Sequence, residues 1–328
     1  MADSTYIRND FSGFNFGYEY YNGKQIFKNA WTQNVIDDEV AKMRHSGLIT
    51  DIDLEIVKFA YHNSFITSRI ARDLLMPDKT VEEVDVLMER LLKNRLLNKF
   101  AVSAFAREDY PADALAIYCL DYGGKKLLMH YGDPGDGADK WTSGSILMSI
   151  PKVSEKLISA DFRVQLVKNC GSNLEYVKLN PVYRKSKDPV SPNFEFCIKH
   201  NGERKYFLGV VARESSLQPT FRDNIAKVDD FVSSKSWQRY FYGENLTPPV
   251  VIVIAEDDRI AMEAAKIVDQ RTSIKAVRYT TDTRMISNLS EKGAFMKFVA
   301  AGADEAYPEA HLVAVKSSVF SKPEETQE

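Results

Sequence analysis

The alternation of apolar and polar positions is most regular between Thr50 and Leu120, where it predicts three short helices and then two strands. Thr50-Asp51 stands where a short side-chain oxygen can cap the first helix. Met76-Pro77 ends the second, since proline disfavours helical backbone before it. This order of elements is typical of a winged helix. The predicted helices are 51–61, 66–74 and 80–92, and the predicted strands are 97–105 and 115–120.

The segment from Phe14 to Trp31 is rich in aromatic side chains. Aromatic and polar residues alternate up to Tyr20, Asn22-Gly23 is a favoured two-residue turn, and a second run follows at 24–28. The pattern predicts a β-hairpin. A lone hairpin is barely stable in water, so this arm has to dock on its own chain or on a partner such as another subunit or DNA. Residues 33–45 are predicted as a linking helix.

Beyond a turn-rich linker at 132–142, the pattern changes to helices that alternate with strands. The continuous apolar run from Val250 to Ile254 is expected of a strand buried on both faces. Asn201-Gly202 separates two strand-like runs and predicts a hairpin turn. These elements predict an α/β domain with a mixed central sheet. Its predicted helices are 143–169, broken near Pro151, 221–232, 257–270 and 290–300, and its predicted strands are 174–183, 193–200, 204–211, 249–254 and 276–280.

Composition and cysteine usage indicate a cytoplasmic protein with no membrane segment. No apolar run reaches the roughly 18–20 residues that cross a bilayer. The polar, acidic start of the chain is unlike a secretory signal. Cys119, Cys170 and Cys197 lie far apart and are odd in number. We expect them to be buried thiols in a reducing compartment.

The charge is unevenly distributed along the chain. Residues 151–240 carry 16 basic and 10 acidic side chains, a net charge of +6, although the whole chain has a net charge of −3. This basic segment is the better place for phosphate contacts, and a merely solvated basic surface is the alternative. The third predicted helix begins with acidic residues that would meet DNA unfavourably, so a protein-binding role for it stays open. The residues predicted to contact DNA phosphates are Arg69, Arg72, Lys99, Arg184, Lys185, Lys187, Arg204 and Lys205.

A hairpin followed by a helix and a buried strand is also the core of the restriction-endonuclease-like fold. Such a nuclease needs an acidic residue on one hairpin strand and a Glu/Asp-x-Lys on the next, because carboxylates hold the metal and lysine positions the water. The chain has Asn193 at the first place, and Val211 and Arg213 at the second. The pattern therefore predicts a nuclease-like domain without catalytic residues. The alternative is a metal-dependent nuclease in which Glu195 and Glu214 substitute as ligands.

Other kinds of catalytic or cofactor site find no support in the sequence. The five histidines form no pair at metal-ligand spacing. Glycine-rich phosphate loops are absent. We therefore predict neither a metal nor another cofactor.

The predicted fold class combines α+β and α/β: a winged-helix domain followed by a restriction-endonuclease-like domain with a mixed sheet. The predicted organisation is an aromatic arm and linking helix at 1–46, the winged helix at 47–131, a linker at 132–142, the nuclease-like domain at 143–316 and a disordered tail at 317–328.

Three stretches carry a family resemblance. The run Ile66 to Leu75, the run Leu87 to Leu97, and the segment Tyr118 to Leu128 with its Asp-Tyr-Gly-Gly together resemble the start of the replication-relaxation family, and parts of 207–259 are similar as well. The resemblance covers about residues 50–280. It implies a winged helix joined to a nuclease-like domain, and a role on double-stranded DNA in plasmid replication or transfer. The chain departs from the family at Asn193 and around Val211.

Three functions follow from these patterns. The first is a non-enzymatic DNA-binding accessory or regulatory protein of a plasmid or conjugative element. The second is the metal-dependent nuclease. The third is a protein-interaction adaptor that uses the winged helix and the aromatic arm, with self-association through the arm as one form.

Overall fold

The computed structural model describes residues 5–10, 13–32, 37–133, 137–184, 189–243, 246–303 and 308–322. The chain divides into two compact units, Met1–Ala160 and Asp161–Glu328. The division falls inside the helix Ile150–Cys170, later than the linker predicted at 132–142. Each unit combines helices with a β-sheet of its own, so the chain has a mixed α+β fold. Within the described ranges, no helix is both long enough and apolar enough to cross a membrane.

Helices of the first unit begin at residues that cap them. Thr50 and Thr80 each form a capping box, in which the side chains of Asp53 and Glu83 reach back to the backbone N–H of the cap. These contacts satisfy donors that a helix start leaves open. The helices are α1 (Asp37–His45), α2 (Asp51–Asn63), α3 (Ser68–Leu75), α4 (Val81–Lys93), α5 (Tyr122–Tyr131) and α6 (Ile150–Cys170), of which the first half lies in this unit.

An antiparallel sheet joins the N-terminal segment to the strands after α4. Among the described residues its order is β1 (Lys24–Phe27), β2 (Leu97–Ser103) and β3 (Ile117–Leu120). Ile66, between α2 and α3, forms a single antiparallel bridge with Tyr118 of β3. The helices predicted between residues 51 and 92 and the strands predicted on either side of the loop at 107–113 are confirmed as elements.

The hairpin predicted for the aromatic arm is wrong. Residues 14–17 form no strand, Tyr18–Tyr20 is a short 3-10 helix, and β1 pairs with β2 instead of with the arm. Three of the four alternating rings are buried, so the pattern reflects an arm packed on its own unit and not strand pairing. Gly23 is needed for close approach, because a Cβ there would lie 2.4 Å from the backbone oxygen of Ser103.

The second unit is built on a mixed sheet. Its strands are β4 (Leu174–Leu179), β5 (Phe194–His200), β6 (Glu203–Ala212), β7 (Val250–Ala255), β8 (Val277–Thr281), β9 (Phe295–Val299) and β10 (His311–Val315). Among the described residues their spatial order is β10-β9-β8-β7-β6-β5-β4. Parallel pairing joins β6 to β7 and β7 to β8, while the other neighbours are antiparallel. The helices α7 (Arg222–Ser233) and α8 (Asp258–Arg271) are the crossovers that parallel strands require.

The two faces of this sheet have different partners. Val210, Val253 and Tyr279 belong to a hydrophobic core that also contains apolar residues of α7 and α8. On the opposite face, the ring of Phe196 lies 6.0 Å from the ring of Phe162 in the second half of α6. Side chains alternate between faces along a strand, so every second residue of β6, β7 and β8 lies on the face of the sheet where Phe196 meets α6.

Two predictions near the C-terminus are wrong. The helix predicted at 290–300 is instead β9, which pairs with β10. Closely spaced apolar residues fit either element, and pairing with a strand later in the chain decides between them. Residues 317–322 are ordered where a disordered tail was expected, because Phe320 is buried with its ring 4.8 Å from that of Phe295. The rest of the predicted tail lies outside the described residues.

The cysteines are free and buried, as the sequence predicts. Burial raises the pKa of Cys170 to about 12, and burial together with the neighbouring Glu175 raises that of Cys197 to about 12. Since the thiolate is the reactive form of cysteine, these thiols are inert at neutral pH.

Candidate functional site

The carboxyl ends of β6, β7 and β8 lie side by side, because these strands run parallel. In an open α/β sheet this edge is where ligands bind. The residue that follows each strand is charged: Arg213, Glu256 and Asp282. Ala212 and Ala255 face the core under α7 and α8, so by alternation Arg213 and Glu256 lie on the face of α6.

Arg213 and Asp282 form a two-point ion pair. Nη1 of Arg213 donates to Oδ2 of Asp282 at 2.8 Å, and Nη2 donates to Oδ1 at 3.0 Å. Arg213 is 1% exposed and the carboxylate of Asp282 is 12% exposed. Burial raises the pKa of Asp282 to about 6 against the opposing effect of Arg213, and the charges of Glu256 and Asp161 raise it as well. Two-point contacts of this kind are among the stronger polar interactions in proteins.

Two more acidic residues complete what we call the Arg213 cluster: Arg213, Asp282, Glu256 and Asp161. Asp161 lies on α6 and is 4% exposed, and Glu256 is 7% exposed. Glu256 accepts a hydrogen bond from the backbone N–H of Glu214 at 3.2 Å. The charges of Glu256 and Asp161 act on Asp282, whose carboxyl is paired with Arg213. The guanidinium offsets part of the cost of removing the carboxyl of Asp282 from water.

The nuclease-like positions are filled by residues that do not fit a metal. Asn193 accepts a hydrogen bond at Oδ1 from the backbone N–H of Val211 at 2.9 Å, which ties the first position to the second. Val211 is apolar and 3% exposed. In the part of the chain that the structure describes, no group of three or more histidine, cysteine, aspartate or glutamate side chains could hold a metal ion. Divalent metals in nucleases need several oxygen ligands, so this donor set does not fit one.

Glu195 and Glu214, the substitute ligands, have separate surroundings and share no partner among the described residues. Glu195 is 1% exposed and accepts hydrogen bonds from the hydroxyls of Tyr176 and Tyr183. Burial and the negative charge of Glu195 raise the pKa of both tyrosines. Glu214 is exposed and pairs with Arg259 of α8 at 2.8 Å. The structure therefore does not bring the two glutamates together.

In the first unit, the predicted phosphate contacts already have partners within the protein. The guanidinium of Arg69 lies 5.0 Å from the ring centroid of Phe14. Arg72 pairs with Asp73 at 2.5 Å. Lys99 pairs with a carboxylate oxygen of Glu89 at 2.5 Å and is only 13% exposed. DNA could reach Lys99 only by breaking that pair.

The predicted contacts of the second unit lie on and beside the β4–β6 meander. Arg204 is about half exposed and pairs with Glu175 at 2.7 Å. Arg184 is exposed and Lys205 is partly exposed. Lys185 and Lys187 lie outside the described residues. The meander thus presents cations at its surface, and one of them is held by a carboxylate.

The exposed face of α4 is acidic and carries one apolar residue. Val86 is 74% exposed, and Glu82, Glu83 and Glu89 are exposed around it. Glu89 also accepts a hydrogen bond from the hydroxyl of Tyr118 at 2.8 Å, which fixes its position. The prediction that this face would meet DNA phosphates unfavourably rests on these acidic residues.

Sequence reasoning missed Asp282 and Asp161 as members of the cluster. Asp282 follows a strand that was predicted, at the end where ligands of α/β sheets bind, and that position was the available signal. Asp161 lies within a long helix, where an acidic residue gives no indication that it is buried.

Comparisons with protein-family models, with curated proteins and with solved structures found no match for the chain. The resemblance to the replication-relaxation family therefore stays a prediction from the residues.

Proposed function

We propose that this chain is a non-enzymatic DNA-binding protein that serves an accessory or regulatory role on a plasmid or conjugative element. The observation that carries the proposal is Arg213. At the position where a nuclease-like core would use lysine beside metal-bound carboxylates, the chain has a buried guanidinium paired with Asp282. Such a core retains a scaffold for nucleic acid without the groups that cleave it.

The order of elements in the first unit supports the winged-helix part of this proposal. The helices α2, α3 and α4 are followed by the antiparallel pair β2 and β3, and the bridge from Ile66 to Tyr118 joins the α2–α3 connection to that pair. A short strand between the first two helices that pairs with the ribbon is characteristic of winged helices. The acidic face of α4 favours contacts to the DNA backbone elsewhere on the protein over base reading by this helix.

The meander of β4, β5 and β6 is the stronger phosphate-binding surface of the two units. Arg184 and Lys205 carry no ion pair among the described residues, and Lys199 is exposed nearby on β5. The segment 151–240 has a net charge of +6. Non-specific DNA affinity comes mostly from such cations, because each phosphate contact releases counterions.

The test is fluorescence anisotropy with a mixed-sequence DNA duplex, at low and at physiological salt, with a chelator present. We expect affinity to fall steeply with salt. The double variant Arg184→Gln/Lys205→Gln should reduce the slope of log affinity against log salt by roughly two, because each phosphate contact contributes about 0.9.

The matched control is Lys266→Gln/Lys292→Gln, which removes the same charge from two exposed lysines elsewhere in the second unit. It should change the slope little. Absence of salt-sensitive binding in the unmodified protein would overturn the proposal. Equal effects of the two double variants would show that binding follows net charge and not the meander.

A second function, that of a protein-interaction adaptor, is favoured by one observation. Val86 is 74% exposed on α4 and is surrounded by acidic residues, which suits a partner with basic and apolar side chains. The test is a pull-down after nuclease treatment, comparing the unmodified protein with Val86→Arg. A partner that is kept by the unmodified protein and lost by the variant would favour this function. Equal capture by both would exclude the α4 face as the contact.

A further inference from the structure

The strand β10 (His311–Val315) lies at one end of the sheet in the second unit. Among the described strands, only β9 pairs with it. An edge strand of this kind presents a row of backbone N–H and C=O groups to which another strand can pair. Val313, at the centre of β10, is 40% exposed, so solvent reaches this edge of the sheet.

The strand at the opposite end of the sheet, β4, has features that keep an edge from pairing. Glu175 and Lys178 are exposed on it, and its pairing with β5 shifts in register between Leu174 and Tyr176. Charged side chains and irregular pairing commonly protect sheet edges. β10 contains no Lys, Arg, Asp, Glu or Pro, and its register with β9 is continuous. One edge of the sheet is therefore protected, whereas the other is suited to pairing.

The charges on either side of β10 favour a second copy of this chain as the partner. Glu309 precedes the strand and Lys316 follows it, and both side chains are exposed. Neither forms an ion pair with another described residue. The five-residue strand between them spans roughly 17 Å at about 3.4 Å per residue, so they cannot meet within one copy. Antiparallel pairing of two copies places each glutamate beside the lysine of the other copy, whereas parallel pairing would bring like charges together.

The apolar side chains of β10 also match those of a second copy. Leu312 packs against the hydrophobic core that contains residues of α8, and Ala314 lies on the same face of the sheet by alternation. With a two-fold axis at Val313, Leu312 of each copy lies opposite Ala314 of the other, and Val313 lies opposite itself. The apolar layer on this face would then continue from one sheet into the next.

We propose that β10 pairs antiparallel with β10 of a second copy, which gives a two-fold symmetric dimer with one continuous sheet. The contact involves five strand residues on each copy, whereas a standard interface has roughly 20–30 residues on each side. The dimer is therefore weak, and its population depends on protein concentration. The inference does not depend on the DNA-binding function proposed above.

The first experiment is sedimentation equilibrium of the full-length protein from about 1 µM to about 1 mM, a range that covers weak association. We expect monomer and dimer in exchange. Val313→Lys places two like charges opposite each other at the axis and should raise the Kd of the dimer at least about tenfold. The control Val182→Lys makes the same change at a valine of the second unit that is 57% exposed, and it should leave the Kd unchanged. A monomer over the whole range would overturn the proposal, and so would equal Kd values for the two variants.

A charge exchange tests the antiparallel direction. Glu309→Lys places lysines together at both ends of the contact and should weaken the dimer, and the double variant Glu309→Lys/Lys316→Glu should restore it because each end again holds opposite charges. Failure of the double variant to recover would contradict antiparallel self-pairing.

Disulfide crosslinking tests the position of the axis. Val313→Cys places a thiol opposite its own copy, where the Cα atoms of antiparallel partners are about 4.5–5.5 Å apart, within the span of a disulfide. The native cysteines are buried, so mild oxidation should produce a covalent dimer through position 313. Val182→Cys is the matched control. A covalent dimer that forms no faster from Val313→Cys than from the control would show that β10 does not pair with itself.

Discussion

Arg213 reaches across an intervening strand to pair with Asp282, since β6 and β8 are separated by β7. The pair therefore ties together three strands at the edge where the parallel part of the sheet ends. Its two members are 69 residues apart in the chain. The ion pair can form only when the parallel part of the sheet is complete.

Removal of the guanidinium should destabilise the second unit. Arg213→Met leaves the buried carboxyl of Asp282 without its paired guanidinium, beside Glu256 and Asp161, and breaking a buried pair in this way costs about 3–5 kcal/mol. Urea unfolding at pH 7.5 should show this loss in the free energy of unfolding. The control Arg259→Met removes exposed ion pairs to Glu214 and Glu263 and should lower the free energy of unfolding far less, because exposed ion pairs contribute little. Equal losses in the two variants would contradict the role given to the cluster.

The raised pKa of Asp282 predicts a specific dependence of stability on pH. Its pKa rises from the ordinary value of 3.8 to about 6 in the folded protein, so between these values the folded state holds more protons than the unfolded state. The contribution of Asp282 to the free energy of unfolding therefore decreases as pH rises from about 4 to about 6, and is lowest above that window. Unfolding of the unmodified protein and of Asp282→Asn at several pH values isolates this contribution. A difference between the two that does not change with pH would contradict the raised pKa.

Two capping-box acids should differ in their importance. Asp53 is fully buried and accepts two hydrogen bonds from Arg90 of α4, at 2.6 and 2.8 Å, so it links two helices as well as capping α2. Asp53→Ala should cost about 3 kcal/mol or more, because it leaves a partly buried guanidinium without its partner. Glu83→Ala removes the equivalent acid from the capping box of α4 and should cost clearly less, because that acid is exposed to water. Thermal unfolding of the two variants compares them, and equal shifts in Tm would contradict the difference.

Gly124 of α5 should not tolerate alanine, although alanine is the better helix former. A Cβ at this position would lie 2.2 Å from the backbone oxygen of Leu96, which cannot move without disturbing the start of β2. Gly124→Ala should cost about 1–3 kcal/mol, as overpacking usually does. At Gly144 a Cβ would meet only a side-chain oxygen at 3.7 Å, so Gly144→Ala is the matched control and should be close to neutral. Chemical unfolding of both variants checks this, and a neutral Gly124→Ala would mean that α5 can shift away.

The close approach of α5 to the backbone before β2 also gives a structural reason for part of the Asp-Tyr-Gly-Gly motif. Asp121 caps α5 by accepting a hydrogen bond from the backbone N–H of Tyr122 at 2.8 Å. A Cβ at Gly123 would lie 2.7 Å from the backbone oxygen of Arg95. The motif thus lets a helix start against the turn between α4 and β2. Its presence is explained by packing, without any contact to nucleic acid.

The sequence predicted those helices and strands whose position is determined by residues close together in the chain. Helices with caps and a regular apolar face were located well, as in α2 and α4. The arm and β9 were misassigned because their apolar residues record burial, and burial does not say which neighbour covers them. The strand partner of β1 lies more than 70 residues away in β2, and no local pattern specifies it.

The candidate site was only partly predictable for a related reason. Arg213 stood out because an expected motif was altered at its position, but its partner Asp282 is remote in sequence. Lys99, in contrast, was predicted as a site residue, but the structure shows it already paired within the protein. It is a cation on a predicted ribbon, yet Glu89 on the neighbouring helix neutralises it, and a one-dimensional count of charges cannot detect such a pair.

The pairing of β1 with β2 determines which fragments of this protein can be produced. A fragment cut at the predicted winged-helix boundaries, 47–131, would lack β1 and turn β2 into an open edge. It would also uncover Phe100, whose ring lies 5.2 Å from that of Phe27. Open edges beside exposed rings recruit other chains, so such a fragment should aggregate on expression. A well-behaved fragment of the first unit has to start before Lys24.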